Sequence, residues 1–409
     1  MSDGSSASET LAARCCIVGG GPAGMMLGLL LARAGVEVIV LEKHADFFRD
    51  FRGDTIHPST LEVVHELGLL EEFLKRPHQE LRELRGWIGD EMIPVADFSH
   101  LPTHCKFIAL MPQWDFLDFL AQQAKTYPSF RLRMEAEVTD LIEEGGRVAG
   151  VRARTSAGAL EVRADLVVGA DGRHSTVREK AHLETMDLGA PMDVLWMRLS
   201  QRPGDPKESM GRFDPGHVFV MIDRGDYWQC AFVIPKGGFD EVKRRGLGAF
   251  RQEVARVAPF MRDRVGEIAE WDHVKLLTVA VDRLRQWCRP GLLCIGDAAH
   301  AMSPIGGIGV NLAVQDAVAA GNILAEPLRR GPAGLDKLWA VQRRREFPTR
   351  ITQRAQVVIQ NRIIGRVLTT QAKSFSPPLP LRLMRRWPFL RRIPARLIGM
   401  GVRPEHVKA

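Results

Sequence analysis

The sequence predicts an α/β protein: a doubly wound, Rossmann-like, three-layer domain with an inserted, mainly antiparallel β-sheet domain and a C-terminal helical tail. Three observations predict it. A glycine-rich turn separates a strand-like run from a helix-like run within residues 14–43. Two later apolar runs end in Gly169-Ala170-Asp171-Gly172 and in Gly296-Asp297. Residues 193–200, 217–223 and 227–234 then read as strands, the last two joined by an RGD turn.

At 409 residues, 45% hydrophobic and 26% charged, the chain can bury a substantial core. No uninterrupted apolar run reaches the roughly eighteen residues of a membrane span. Residues 1–12 are small and polar without a basic-then-apolar signal, and are expected as a disordered tail on a cytoplasmic protein. Six cysteines without CxxC spacing make neither a disulfide nor a metal framework, so no metal is expected. The net charge of +7 is unevenly placed. Residues 362–409 hold eleven Lys or Arg against one Glu, so the tail stands at +10 and the rest of the chain at −3. That body offers no basic footprint for nucleic acid.

The first element pair is RCCIVGGGPAGMMLGLLLARAGVEVIVLEK, residues 14–43. Cys15–Val18 is a short buried strand, Gly19-x-Gly21-x-x-Gly24 the turn, and an apolar helix runs to Ala34. Gly19 permits the turn, Gly21 lets a diphosphate approach the backbone, and Gly24 lets helix pack on strand. Pro22 and Ala23 open the helix, whose first N–H groups are free for phosphate. Glu42 closes the second strand where a carboxylate holds an adenosine ribose. This pattern does not separate NAD from FAD. The strands at 163–169 and 291–295 repeat the theme of a carboxylate at a carboxyl-terminal strand edge. NAD on a single dinucleotide fold needs neither, whereas FAD extends further and needs more anchors.

GxGxxG with Glu42, then DGRHSTVR at 171–178, then GDAAHAMSPIGGIGVN at 296–311 resemble the three fingerprints of the class A flavoprotein aromatic monooxygenases, the para-hydroxybenzoate hydroxylase type. Their order and separations are similar, over about residues 14–325. The resemblance implies FAD, with Asp297 on the ribityl chain and Asp171 near the diphosphate. It implies Pro304, Gly307, Gly309, Val310 and Asn311 against the flavin, with a helix beginning near Asn311 whose N-terminus faces the negative edge of the reduced ring. Arg52 and Gln113 are similar to family residues that reach the phosphates and ribityl. Lys43 over the adenosine and the Val138 backbone beside the adenine complete the expected cofactor set. Ser59-x-x-Glu62 reads as a capping box. The FAD-binding domain is then expected at 13–82, 107–180 and 281–365, the substrate domain at 83–106 and 181–280, and a basic lid or tail at 366–409.

The strands of 193–234 are apolar on nearly both faces, so one face is expected on the core and the other on a covered cavity. Trp196, Phe219, Met221 and Trp228, with Pro304 from the flavin loop, are the candidate substrate contacts; each is equally readable as core. Only two tyrosines occur in the chain, which leaves little room for a tyrosine-based phenol ionisation. No catalytic side chain is firm, since the chemistry is carried by the flavin. His57 is the one candidate, a base near neutral pH or a structural histidine before Pro58.

The resemblance implies an NAD(P)H- and O2-dependent monooxygenase, with NADPH or NADH as transient co-substrate, that hydroxylates or epoxidises an electron-rich aromatic or quinone-like molecule through a flavin C4a-hydroperoxide. A flavin-dependent reductase of a lipophilic substrate and a non-catalytic flavin-loaded binding protein are the alternatives. The proline-broken basic tail reads either as a lid with arginines outward or as a peripheral contact at the inner face of a membrane. Substrate identity, NADPH against NADH, and oligomeric state are not legible.

Overall fold

The computed structural model describes residues 9–48, 55–89, 91–206, 209–370 and 377–408. Its parallel sheet runs in the order β3 (Phe130–Arg133), β2 (Val38–Leu41), β1 (Glu9–Val18), β4 (Gly158–Gly169), β5 (Leu292–Cys294). Continuous apolar runs make these strands because both faces are covered: Cys15–Val18, Val38–Leu41 and Leu292–Cys294 are buried throughout. An antiparallel pair, Glu137–Glu144 and Arg147–Thr155, extends the sheet from the lower half of β4. One expectation is corrected here. Residues 9–12, assigned to a disordered tail, pair in register with 160–163 of β4, because a parallel ladder accepts any side chain whose backbone can bond.

One helical layer consists of α1 (Pro22–Arg33), α3 (Gln113–Ala124) and α4 (Ile308–Arg330), with α2 (Pro58–Glu66) against α4 and α5 (Leu335–Ile359) on its far side. Glycine sets the spacing. A Cβ on Gly28 would stand 3.0 Å from both Val40 and Phe130, and one on Gly321 3.2 Å from Leu30. Helix α4 is long and apolar enough to cross a membrane, yet 78% of its most apolar window is buried, as for a core helix. Two short helices, α6 (Leu379–Arg386) and α7 (Arg392–Gly399), end the chain with an extended segment.

The second sheet has seven strands, in the order 275–277, 192–200, 227–235, 217–223, 210–214, 83–88 and 91–97. The hairpin at 83–97 joins it through a parallel pairing of 83–88 with 210–214, and 224–226 turns between 217–223 and 227–235. Alternation separates its two faces. Leu195, Met197, Phe219, Met221, Trp228, Cys230 and Phe232 lie under the helices Phe239–Arg245 and Leu247–Val257. Met192, Val194, Val218, Ala231 and Val233, with Trp196, Phe213 and Val220, face Ile305 and residues 364–368.

Candidate active site

Three loops leave the parallel sheet from one row. Val18 pairs with Gly169, and Gly169 with Cys294, so the segments after them emerge side by side at the carboxyl edge. Gly19, at φ +104°, is forced by both conformation and space: a Cβ there would collide with the Ala170 carbonyl. One on Gly24 would collide with the Gly19 carbonyl. Helix α1 follows with extended Gly21 as its N-cap, Pro22 at its start, no side-chain cap and no acid in its first turn. Its leading N–H groups therefore have no side-chain acceptor. Glu42, 9% exposed, accepts the Gly20 N–H at 2.9 Å and the His44 N–H at 3.1 Å, and a carboxylate retains further lone pairs.

The middle loop is tied back on itself. Asp171 accepts from Ser175 Oγ at 2.5 Å and the Val177 N–H at 3.1 Å; burial raises its carboxyl above the ordinary range, and these bonds oppose that. Arg173 reaches Asp297 at 3.8 Å, which joins the second and third motifs.

In the third loop Gly306 and Gly307 are consecutive left-handed residues, at φ +76° and +62°. Gly307 is the N-cap of α4, so the helix begins at Ile308, three residues before the expected Asn311, again with no side-chain cap and no acid in its first turn. Thr55 Oγ1 donates to the Gly307 carbonyl at 3.1 Å, and a Cβ on Gly307 would collide with that same oxygen. The Asn311 side chain is buried and accepts from Ser59 and Thr60, both at 2.7 Å, so it binds α2 to α4. This overturns the capping box. Ser59 is spent on Asn311, His57 is the N-cap without a side-chain bond, and Glu62 accepts the His104 N–H at 3.0 Å.

The supports of this loop are what sequence reasoning missed. Gln353, Gln356 and Gln360 are all buried on one face of α5 and its continuation. Gln353 donates to the Ala301 carbonyl at 3.1 Å. Gln356 donates to the Ser303 and Ile305 carbonyls and accepts the Ser303 N–H, each at 3.1 Å; Gln360 donates to Ser303 Oγ at 2.7 Å. The signal was available: glutamines at spacings of three and four mark one helix face. Beneath them Asp316 accepts the Gly296 N–H at 3.0 Å, His300 Nε2 lies 2.6 Å away, and Arg345 donates at 2.9 Å. Burial alone would raise the Asp316 carboxyl, but His300 and Arg345 hold it below its ordinary value. Arg345 continues to Glu405 at 3.2 Å, so the chain terminus is stitched to the same network.

The remaining expectations scatter. Pro304 is half-buried, Gly309 half-buried and Val310 buried, all at the α4 entrance. Gln113 is half-buried at the start of α3, Lys43 is exposed after β2, and Val138 is buried opposite Ala153. Arg52, with its neighbour Asp54, lies outside the described residues. His57 is fully buried, its Nδ1 2.7 Å from the Ile398 carbonyl of α7, and burial pushes its pKa down. A ring sealed in this way serves as a structural anchor, because a general base must reach a substrate proton.

Among the candidate substrate contacts, only Trp196 faces the flavin loop. Phe219, Met221 and Trp228 point the other way, into the helix-covered core, and Trp228 Nε1 donates at 2.9 Å to Asp205. Asp205 is paired with buried Arg264, whose hydrogen bonds hold the carboxyl down at about 2. The reason is register. Trp196 pairs with Ala231 and Ala231 with Val220, so Val220, and not its neighbours, shares the Trp196 face. Phe213, Val220 and Ile305 pack in the same cluster as Trp196. Among the described residues no cluster could hold a metal ion.

A parallel sheet whose motif loops share one edge, a second uncapped helix start, and an apolar sheet face opposite it define a flavoprotein of the hydroxylase class. The comparisons agree. A family model described as an FAD binding domain matches residues 12–355. The 6-methylpretetramide 4-monooxygenase of Streptomyces rimosus is 36% identical over 361 residues, 86% of this chain and 85% of that protein. The para-nitrophenol 4-monooxygenase of a Pseudomonas strain is 26% identical over 346 residues, 81% and 82% of the two chains. The solved structure of OxyS anhydrotetracycline hydroxylase from Streptomyces rimosus, 24% identical, superposes at a TM-score of 0.74 over 96% of this chain and 77% of that one. The chain belongs to this FAD-binding family and is an FAD-dependent monooxygenase. FAD and O2 are its cofactor and oxidant, and NAD(P)H is the electron donor typical of the family.

Proposed function

We propose that this chain hydroxylates a fused, polyketide-type aromatic ring held between the flavin loop 304–309 and the sheet face of Trp196, Phe213 and Val220. The observation that carries the reading is the in-register row Val18, Gly169, Cys294, which sends all three motif loops to one edge. The identity to the 6-methylpretetramide 4-monooxygenase supports the substrate class, and so does a sheet face built of aromatic and aliphatic groups.

FAD fits the residues present, because two helix starts follow glycines without a side-chain cap or an acid in the first turn, and at the first of them a Cβ on Gly21 would enter open space. In this reading Gly19, Gly21, Pro22, Ala23 and Gly24 take the diphosphate on α1, and Glu42 takes the adenosine ribose. Asp297 takes the ribityl chain, with Asp171 nearby. Bound FAD supplies the redox chemistry, accepting electrons from NAD(P)H and activating O2. The N–H groups of Ile308, Gly309 and Val310, at the positive end of the α4 dipole, would stabilise negative charge on the bound ring. Trp196, Phe213 and Val220 exclude water and orient the substrate ring.

Purified protein is incubated with NAD(P)H, labelled O2 and a panel of fused polyketide aromatics and simple phenols. One labelled oxygen atom in a polyketide-type product is expected. Peroxide as the sole product with every ring, or an unlabelled product, would refute the proposal.

A further inference from the structure

The tail combines two surfaces. Its inner side is docked: Ala395 and Gly399 are buried, Ile398 takes the His57 contact, and both α6 and α7 pack along strand 91–97. Beyond α7 the chain is bonded to Gln315, Arg345, Asn322 and Glu66. Its outer side differs from a lid with arginines alone outward. Eleven large hydrophobic residues are exposed among the described residues, and five of them, Leu379, Trp387, Phe389, Ile393 and Leu397, fall within nineteen residues, each between 48 and 67% exposed. Such clustering marks a binding surface; scattered apolar residues would need no explanation. No residue of α6 is buried. Leu381 and Leu383 are half-buried on that helix, while Leu379 and Arg386 stand outward.

Charge identifies what covers this face. Residues 377–399 contain six arginines and no carboxylate. Arg385 pairs with Glu91 and Arg391 with Glu83, while among the described residues Arg386, Arg392 and Arg396 make no ion pair. On α7, Ile393 and Leu397 lie one turn apart, and Arg392 and Arg396 run beside them as a parallel stripe. A second copy of the chain meeting this face about a two-fold axis would oppose arginine to arginine. An anionic bilayer surface satisfies both stripes at once: phosphates take the guanidinium groups, and Trp387, Phe389 and the aliphatic residues enter the headgroup boundary. We infer that residues 379–397 dock the folded enzyme on an anionic lipid surface.

The test is co-sedimentation of the FAD-loaded, full-length protein with vesicles of phosphatidylcholine alone or mixed with phosphatidylglycerol. Binding is expected only to the anionic vesicles and is expected to weaken strongly as salt rises from about 0.1 to 1 M. Arg386→Ala and Arg392→Ala should each weaken it about fivefold, the ratio that ~1 kcal/mol corresponds to. Trp387→Ser with Phe389→Ser should weaken it by about tenfold or more. Flavin absorbance and NAD(P)H oxidation should be unchanged in all of these, so a failure here leaves the hydroxylase reading untouched. Equal binding to neutral vesicles, no binding, or wild-type binding by the double serine variant overturns the inference. So does a lipid-free dimer that the serine variant disperses, or retention on polyglutamate without retention on vesicles.

Discussion

The two glycine cradles differ in what holds them. The first, at 19–24, is braced by its neighbours: Gly24 lies against Gly19, Gly19 against Ala170 in the adjoining strand loop, and Glu42 bonds the turn from the next strand. The second, the loop 296–309, is braced by other segments: Thr55 bonds Gly307, three glutamines about fifty residues downstream bond Ala301, Ser303 and Ile305, and Asp316 of α4, with Arg345 and Glu405 behind it, bonds Gly296. One is a tight turn wedged between the ends of adjoining strands. The other is a loop whose backbone is specified by buried polar groups from elsewhere in the chain.

If this contrast holds, remote substitutions should damage the second cradle and spare the first. The largest effect is expected of Asp316→Ala, which leaves the Arg345 guanidinium buried and short of a partner. Urea unfolding should report a loss of about 3–5 kcal/mol, with FAD released early in the transition.

Gly307→Ala follows, since it adds a collision with Thr55 to a left-handed backbone worth about 1–3 kcal/mol of strain. Flavin fluorescence titration should show FAD affinity reduced by about tenfold or more. Gly21→Ala is the matched control. A Cβ there meets nothing within 4 Å, so the fold should stand, and any affinity loss would report cofactor contact alone.

Gln356→Leu removes the partners of Ser303 and Ile305 and should lower stability by about 1–3 kcal/mol. It should weaken FAD binding without altering the spectrum of the folded apoprotein. Unchanged FAD affinity would mean that the glutamine face does not support the loop.

The gentlest probe is acid. The Asp316 carboxyl is held below its ordinary value of 3.8, so its contribution is complete above that pH and disappears as pH falls through the lower, folded value. Stopped-flow release of FAD should accelerate only below about pH 4, and Asp316→Asn should lose that pH dependence.

Legibility in the sequence follows the same division. Strands β1, β2 and β4 and helix α1 were readable because their apolar runs and glycines interact within a few residues of one another. The register row Val18, Gly169, Cys294 is their direct consequence once the strands lie parallel. The substrate face was misread at Phe219, Met221 and Trp228. Composition shows that both faces are apolar, but nothing near those residues reveals that helices 239–257 cover theirs. The bonds from Ser59 and Thr60 to the Asn311 side chain likewise have no local signature, because they join α2 to α4 across about 250 residues.

By itself the sequence determined the three loops that meet at the sheet edge, since each motif is a strand, a turn and a helix start in direct succession, and the order of those motifs carried the family resemblance that implies FAD. Only the tertiary structure decided which sheet face meets the flavin loop, what locks that loop, and which side of the tail is left outward. Those outcomes depend on pairing register and on buried polar contacts between segments far apart in the chain, and neither leaves a mark on local composition.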